Sequence, residues 1–103
     1  MSRAWLVPMG RDRIGVEGIL DCDTVVSMLE RSRARFVEGK RLDIDLRGVR
    51  HTNSAGLALL LEWTQLARQS GTTLRLHNPP ASLVGLAALA NVSDLLPVVS
   101  GGG

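Results

Sequence analysis

Cysteine and aromatic residues are scarce in this sequence, and it has no long apolar run. Cys22 is the only cysteine, which excludes an intrachain disulfide and a cysteine-rich zinc site. Trp5, Trp63 and Phe36 are the only aromatic residues, whereas a nucleic-acid surface interleaves several stacking rings with a dense basic patch. The cations, among them Arg11, Arg13, Arg31, Arg33, Arg35, Arg47, Arg50, Arg68 and Arg75, are scattered. Twelve Lys+Arg against ten Asp+Glu leave a net charge of only +2. No nucleic-acid partner is expected. No segment approaches the ~18 apolar residues needed to span a bilayer. Met1–Trp5 lack the apolar run and small-residue cleavage site of a signal peptide. These absences point to a soluble, cytoplasmic protein.

What is present suits one small globular domain. A chain of 103 residues, 45% hydrophobic and 21% charged, holds one modest core. Trp5-Leu6-Val7-Pro8-Met9 reads as an edge strand, because Pro8 cannot donate to a ladder. The turn Gly10-Arg11-Asp12-Arg13 leads into a second extended run, Ile14 to Leu20. Asp21 or Asp23 is placed to cap a helix. That helix carries Val25, Val26, Met28, Leu29, Phe36 and Val37 inward and ends at Gly39. Arg41–Leu46 alternates with Leu42, Ile44 and Leu46 inward and Asp43 and Asp45 outward. Arg47–Asn53 reads as a loop.

A long helix is expected from Ser54 to about Gln69, stopped by Gly71, then a strand, Thr72–Leu76. Asn78-Pro79-Pro80 breaks it, and a third helix spans Ala81 to Ala90. Leu95-Leu96-Pro97-Val98-Val99 forms a short packed segment, and 100–103 a flexible Gly-rich tail after a domain of residues 1–99. The order β-β-α-β-α-β-α implies an α/β domain. Its mixed sheet has four to five strands, parallel pairing through right-handed crossovers and three helices as backing.

The distinctive segment is Asp45–Leu61, where a strand ends, a loop turns and a helix starts with small residues. Asn53 and Ser54 are both good N-caps. At 100° per residue, Leu59, Leu60, Trp63, Leu66 and Ala67 face the sheet. Ser54, Ala58, Leu61, Glu62, Gln65 and Arg68 face outward, with Leu57 at the boundary. The outer face is smooth and apolar near its start, as contact surfaces are. Leu57 and Leu61 leave a homodimer open. A hydrolase reading would use His51, Ser54 and Asp21 or Asp45, but the Gly-x-Ser-x-Gly elbow is missing because residue 52 is Thr. No Gly-rich phosphate loop precedes a helix. His51 is expected in a solvated loop and His77 at a strand end. A non-catalytic protein without cofactor or metal is expected.

Gly18-Ile19-Leu20-Asp21, Leu42-Asp43-Ile44-Asp45-Leu46 and Asn53-Ser54-Ala55-Gly56-Leu57 together resemble the STAS family (sulphate transporter and anti-sigma antagonist domains). Gly56 through Trp63, Leu66-Ala67-x-x-x-Gly71, Leu86-Ala87-x-Leu89 and Leu95-Leu96-Pro97 are similar to the small STAS subunit of the Mla (maintenance of lipid asymmetry) transporter of Gram-negative bacteria. That resemblance implies a subunit bound to the cytoplasmic ATPase of an ABC transporter that moves phospholipid between inner and outer membranes. The chain would reach the inner membrane only through that complex. Contact is implied at Ser54, Ala55, Gly56 and Leu57; the outer strip adds Ala58 and Leu61, and the loop adds Thr52 and Asn53. In the anti-sigma antagonist branch the serine of this motif is phosphorylated, which makes Ser54 a phosphorylation candidate. Asn53 stands where the family usually has Asp, so one feature of that switch is missing.

Overall fold

Apolar residues at every second position let each extended segment bury one side, and the segments pair into a single sheet of order β1-β2-β3-β4 in the computed structural model, which describes residues 1–99. β1 (Ala4–Pro8) is antiparallel to β2 (Arg13–Leu20). β2, β3 (Arg41–Thr52) and β4 (Thr73–His77) run parallel. The crossovers carry α1 (Val25–Ser32) and α2 (Ser54–Ser70), and α3 (Ala81–Leu89) follows β4. This is the expected order. A fifth strand is reduced to one parallel bridge, Leu76 with Val98. There the Leu76 N–H donates to the Pro97 carbonyl and the Val99 N–H to the Leu76 carbonyl, each at 2.9 Å. The glycine tail expected at 100–103 lies outside the described residues.

Ile14, Val16, Leu20, Leu42, Ile44, Leu46, Leu74 and Leu76 share one face of the sheet and form one core with residues of all three helices. Those are Met28 of α1, Leu57, Leu59, Leu60, Trp63 and Ala67 of α2, and Leu83 and Ala87 of α3. Two right-handed crossovers in a steadily advancing strand order put their helices on the same side. The other face of the sheet is therefore bare of helices. Trp63, fully buried, donates its indole N–H to Ser32 Oγ at 2.8 Å, tying α2 to the end of α1. Among the described residues, every buried side-chain nitrogen and oxygen has a hydrogen-bond partner.

Several expected boundaries move. Arg47–Thr52 is strand, not loop: β3 continues against Glu17–Leu20 with two slips of register, each placing an extra residue in β3. β-Bulges of this kind break the alternation that marks a strand in sequence. α1 ends at Ser32 and tightens into a 3-10 turn, Arg33–Arg35, that swings Phe36 into the core while Val37 stays exposed. Its N-cap is Thr24, not Asp21 or Asp23; the Asp21 carboxylate instead accepts from the Asp23 N–H at 2.9 Å. α3 stops at Leu89, so Ala90 follows it and is exposed. His51 is exposed but on a strand.

Candidate functional site

α2 begins where β3 runs out, and the junction is too close for a side chain. A Cβ on Gly56 would lie 1.9 Å from Thr52 Oγ1, so glycine lets the first turn settle on the strand end with neither the Thr52 side chain nor the helix displaced. Asn53, in extended conformation, caps the helix: its Oδ1 accepts from the Ala55 N–H at 2.8 Å, and its carbonyl accepts from the Gly56 N–H at 2.9 Å. Of the two candidate caps Asn53 is thus the one used, and Ser54 becomes the first helical residue. Gly71, in the left-handed region at φ 75°, closes the other end.

This geometry divides the sequence-derived site. Asn53, Ser54 and Ala58 are exposed; Thr52, Ala55 and Leu61 are half-buried; Gly56 and Leu57 are buried. Gly56 acts by letting the turn sit low, and Leu57, 7% exposed, belongs to the core. Ala58 lies in a shallow apolar groove between α1 and α2, lined also by Val25, Val26, Leu29, Leu59 and Glu62. Val26 is 67% exposed there. No acidic residue occupies the first turn of α2, so its N–H groups present the positive end of a 17-residue helix dipole beside Ser54.

The hydrolase set does not assemble. The Asp21 carboxylate is engaged by the Ser2 hydroxyl and the Asp23 N–H, and Asp45 is held on the bare face of the sheet by Arg13, Asn78 and the Arg47 N–H. Asp43 and Asp45 point outward as expected, yet both are buried. Burial pushes the Asp43 carboxyl up, but hydrogen bonds and charge from His77 (2.6 Å) and Arg41 (2.8 Å) outweigh it and hold the group below its ordinary value. Burial likewise raises Asp45, and the Arg47 N–H, Asn78 and Arg13 bring it below its ordinary value. Because Asp43 is ionised, the proton between them resides on His77 Nε2. Sequence reasoning missed this network because its members come from three strands; the outward register of Arg13, Asp43 and His77 was the available signal.

No helix among the described residues is long and apolar enough to cross a membrane, and these residues hold no cluster of three or more metal-ligating side chains.

The geometry can be set beside known proteins. A family model described as "Mlab, STAS domain" matches residues 9–97. The chain is 34% identical to the intermembrane phospholipid transport system binding protein MlaB of Escherichia coli K12 over 87 residues, covering 84% of this chain and 88% of that protein. It matches the protein of the same description from Shigella flexneri equally well. Among solved structures, the anti-sigma factor antagonist SpoIIAA in its unphosphorylated form superposes with a TM-score of 0.68 at 13% identity, covering 95% of this chain and 89% of that one. An extended strand that ends beneath a glycine of the following helix, the four-stranded mixed sheet, and a family match over nearly the whole chain agree: the chain belongs to the MlaB-type STAS domain family.

Proposed function

We propose that the chain is a non-catalytic subunit of a phospholipid-transporting ABC system, docking on its cytoplasmic ATPase through the N-terminal turn of α2. The observation that carries this reading is the low, uncharged ledge of Asn53, Ser54, Ala55 and Ala58, bordered by Leu61 and open to solvent, in a chain similar to a phospholipid transport system protein. Small residues let a partner backbone approach closely, and the apolar groove under Ala58 and Val26 gives it area to bury. Thr52 and Asn53 lend polar contacts at the rim. Gly56 and Leu57 shape the ledge from below. The chain sits at the inner-membrane face through this partner.

Co-expression with the ATPase subunit of the host's phospholipid transporter tests it. Ser54→Arg and Ala58→Arg each abolish copurification while the thermal melt of the free domain is preserved. Unchanged copurification in both variants rules the docking out.

The SpoIIAA-like fold and the exposure of Ser54 at the positive end of α2 favour a second reading, an anti-sigma antagonist switched by phosphorylation of Ser54. A phosphate there meets a favourable dipole. Incubation with candidate kinases and ATP followed by intact-mass measurement then shows one phosphate, absent in Ser54→Ala. No added mass in the wild type removes this reading.

A further inference from the structure

The face of the sheet opposite the helices is neither apolar nor neutral. Arg13, Asp43 and Arg75 are directly opposite one another on β2, β3 and β4, which sets Arg13 and Arg75 about 10 Å apart. Arg41 and Arg47 lie on the same outward side of β3, about 20 Å from end to end. The acids of this face lie beneath the bases. Asp43 and Asp45 keep only 4% and 7% of their side chains exposed, whereas Arg41 and Arg13 keep 57% and 31%. Arg47 and Arg75 are exposed and make no ion pair among the described residues. Glu17, half-buried, lies flat over Gly48, where a Cβ would meet its Cγ at 2.5 Å. Solvent therefore meets four guanidiniums, two of them anchored by buried carboxylates. Trp5 stands on the adjacent edge strand and Met9 just past its end, 47% and 46% exposed.

We propose that this bare sheet face is a second docking surface, for a protein segment rich in Asp and Glu that lies across Arg13, Arg41, Arg47 and Arg75 with Trp5 and Met9 as its apolar margin. Charge complementarity selects the occupant. Planar guanidiniums bind carboxylates in pairs of hydrogen bonds, and Arg, Trp and Met are the side chains enriched where proteins meet while Lys is depleted. The face itself carries no lysine. A nucleic acid would need several stacking rings, and this face has one, at its edge. A membrane surface is served by an amphipathic helix or a polybasic cluster, not by a flat sheet with acids set into it. The surface is on the opposite side of the molecule from α2, so the two docking sites are independent.

The test is a titration of ¹⁵N-labelled protein at low salt with a synthetic amphipathic peptide bearing glutamates along one face. Its lysine counterpart, phosphatidylglycerol vesicles and a single-stranded oligonucleotide are titrated in parallel. Expected are shifts of the Trp5 indole and of the backbone amides around Arg13, Arg47 and Arg75 with the glutamate peptide alone. Affinity drops about tenfold or more in Arg47→Glu/Arg75→Glu. It is unchanged in Arg31→Glu/Arg33→Glu, which alters net charge equally at the end of α1 and the turn that follows it. Equal losses in the two double variants would show a net-charge effect and overturn the proposal. So would shifts mapping to the helices, or binding of vesicles or oligonucleotide in preference to the glutamate peptide.

Discussion

One missing methyl group sets the height of the ledge. With Thr52 Oγ1 where a Cβ of residue 56 would go, Gly56→Ala forces the Thr52 side chain or the first turn of α2 to shift. An overpacked junction of this sort costs about 1–3 kcal/mol. Thr52→Ala removes the obstructing hydroxyl, so the double variant Thr52→Ala/Gly56→Ala is more stable than the two single losses added together. Urea denaturation of the four proteins in this cycle measures the coupling; strict additivity would mean the contact is absent. The same closeness explains why Gly56, which reads as a contact residue, is buried.

At the scale of the element, α2 was legible from its periodicity. The inward positions Leu59, Leu60, Trp63 and Ala67 are buried, and Ala58 is exposed, because a 3.6-residue period alone decides which way a helical side chain points. Leu57 at the boundary was not, since its burial depends on how deeply the turn sits on β3. The second half of β3 escaped because two bulges interrupt its alternation near Gly48. The true end of α1 escaped because the tightening at Arg33–Arg35 is driven by where Phe36 finds its pocket. The cap of α2 yields a prediction: Asn53→Asp puts a carboxylate at the positive helix end and raises stability by about 0.3–1 kcal/mol, less at high salt. Asn53→Ala leaves the Ala55 N–H uncapped and lowers it by about 1 kcal/mol. Denaturation at two ionic strengths checks both signs.

Across the whole molecule, helices cover one face of the sheet and ion pairs the other, and the ionic face makes the fold acid-sensitive. Asp43 and Asp45 titrate below their ordinary value of 3.8 in the folded chain. Their stabilisation is complete above that value and is lost as pH falls through the folded values. Asp43→Asn therefore lowers stability at neutral pH by about 1–3 kcal/mol, because His77 and Arg41 lose an ionised partner. It also flattens the acid limb of the stability curve below pH ~4. A limb as steep as that of the wild type would place the titrating groups elsewhere. The residues of these ion pairs alternate outward in the sequence, but their burial arises only when β2 brings Arg13 to Asp45 and β4 brings His77 to Asp43, so a single strand could not announce it.

The docking of α2 is tested most directly by thiol protection. In a Cys22→Ser background, a cysteine is placed at Ala58, or as control at Gln69 near the other end of α2, and modified with a bulky maleimide before and after mixing with the ATPase. The account predicts that the thiol at 58 is shielded in the complex and that prior modification prevents assembly, while the thiol at 69 reacts equally in both states. An ATPase complex that forms normally with residue 58 already modified would contradict it.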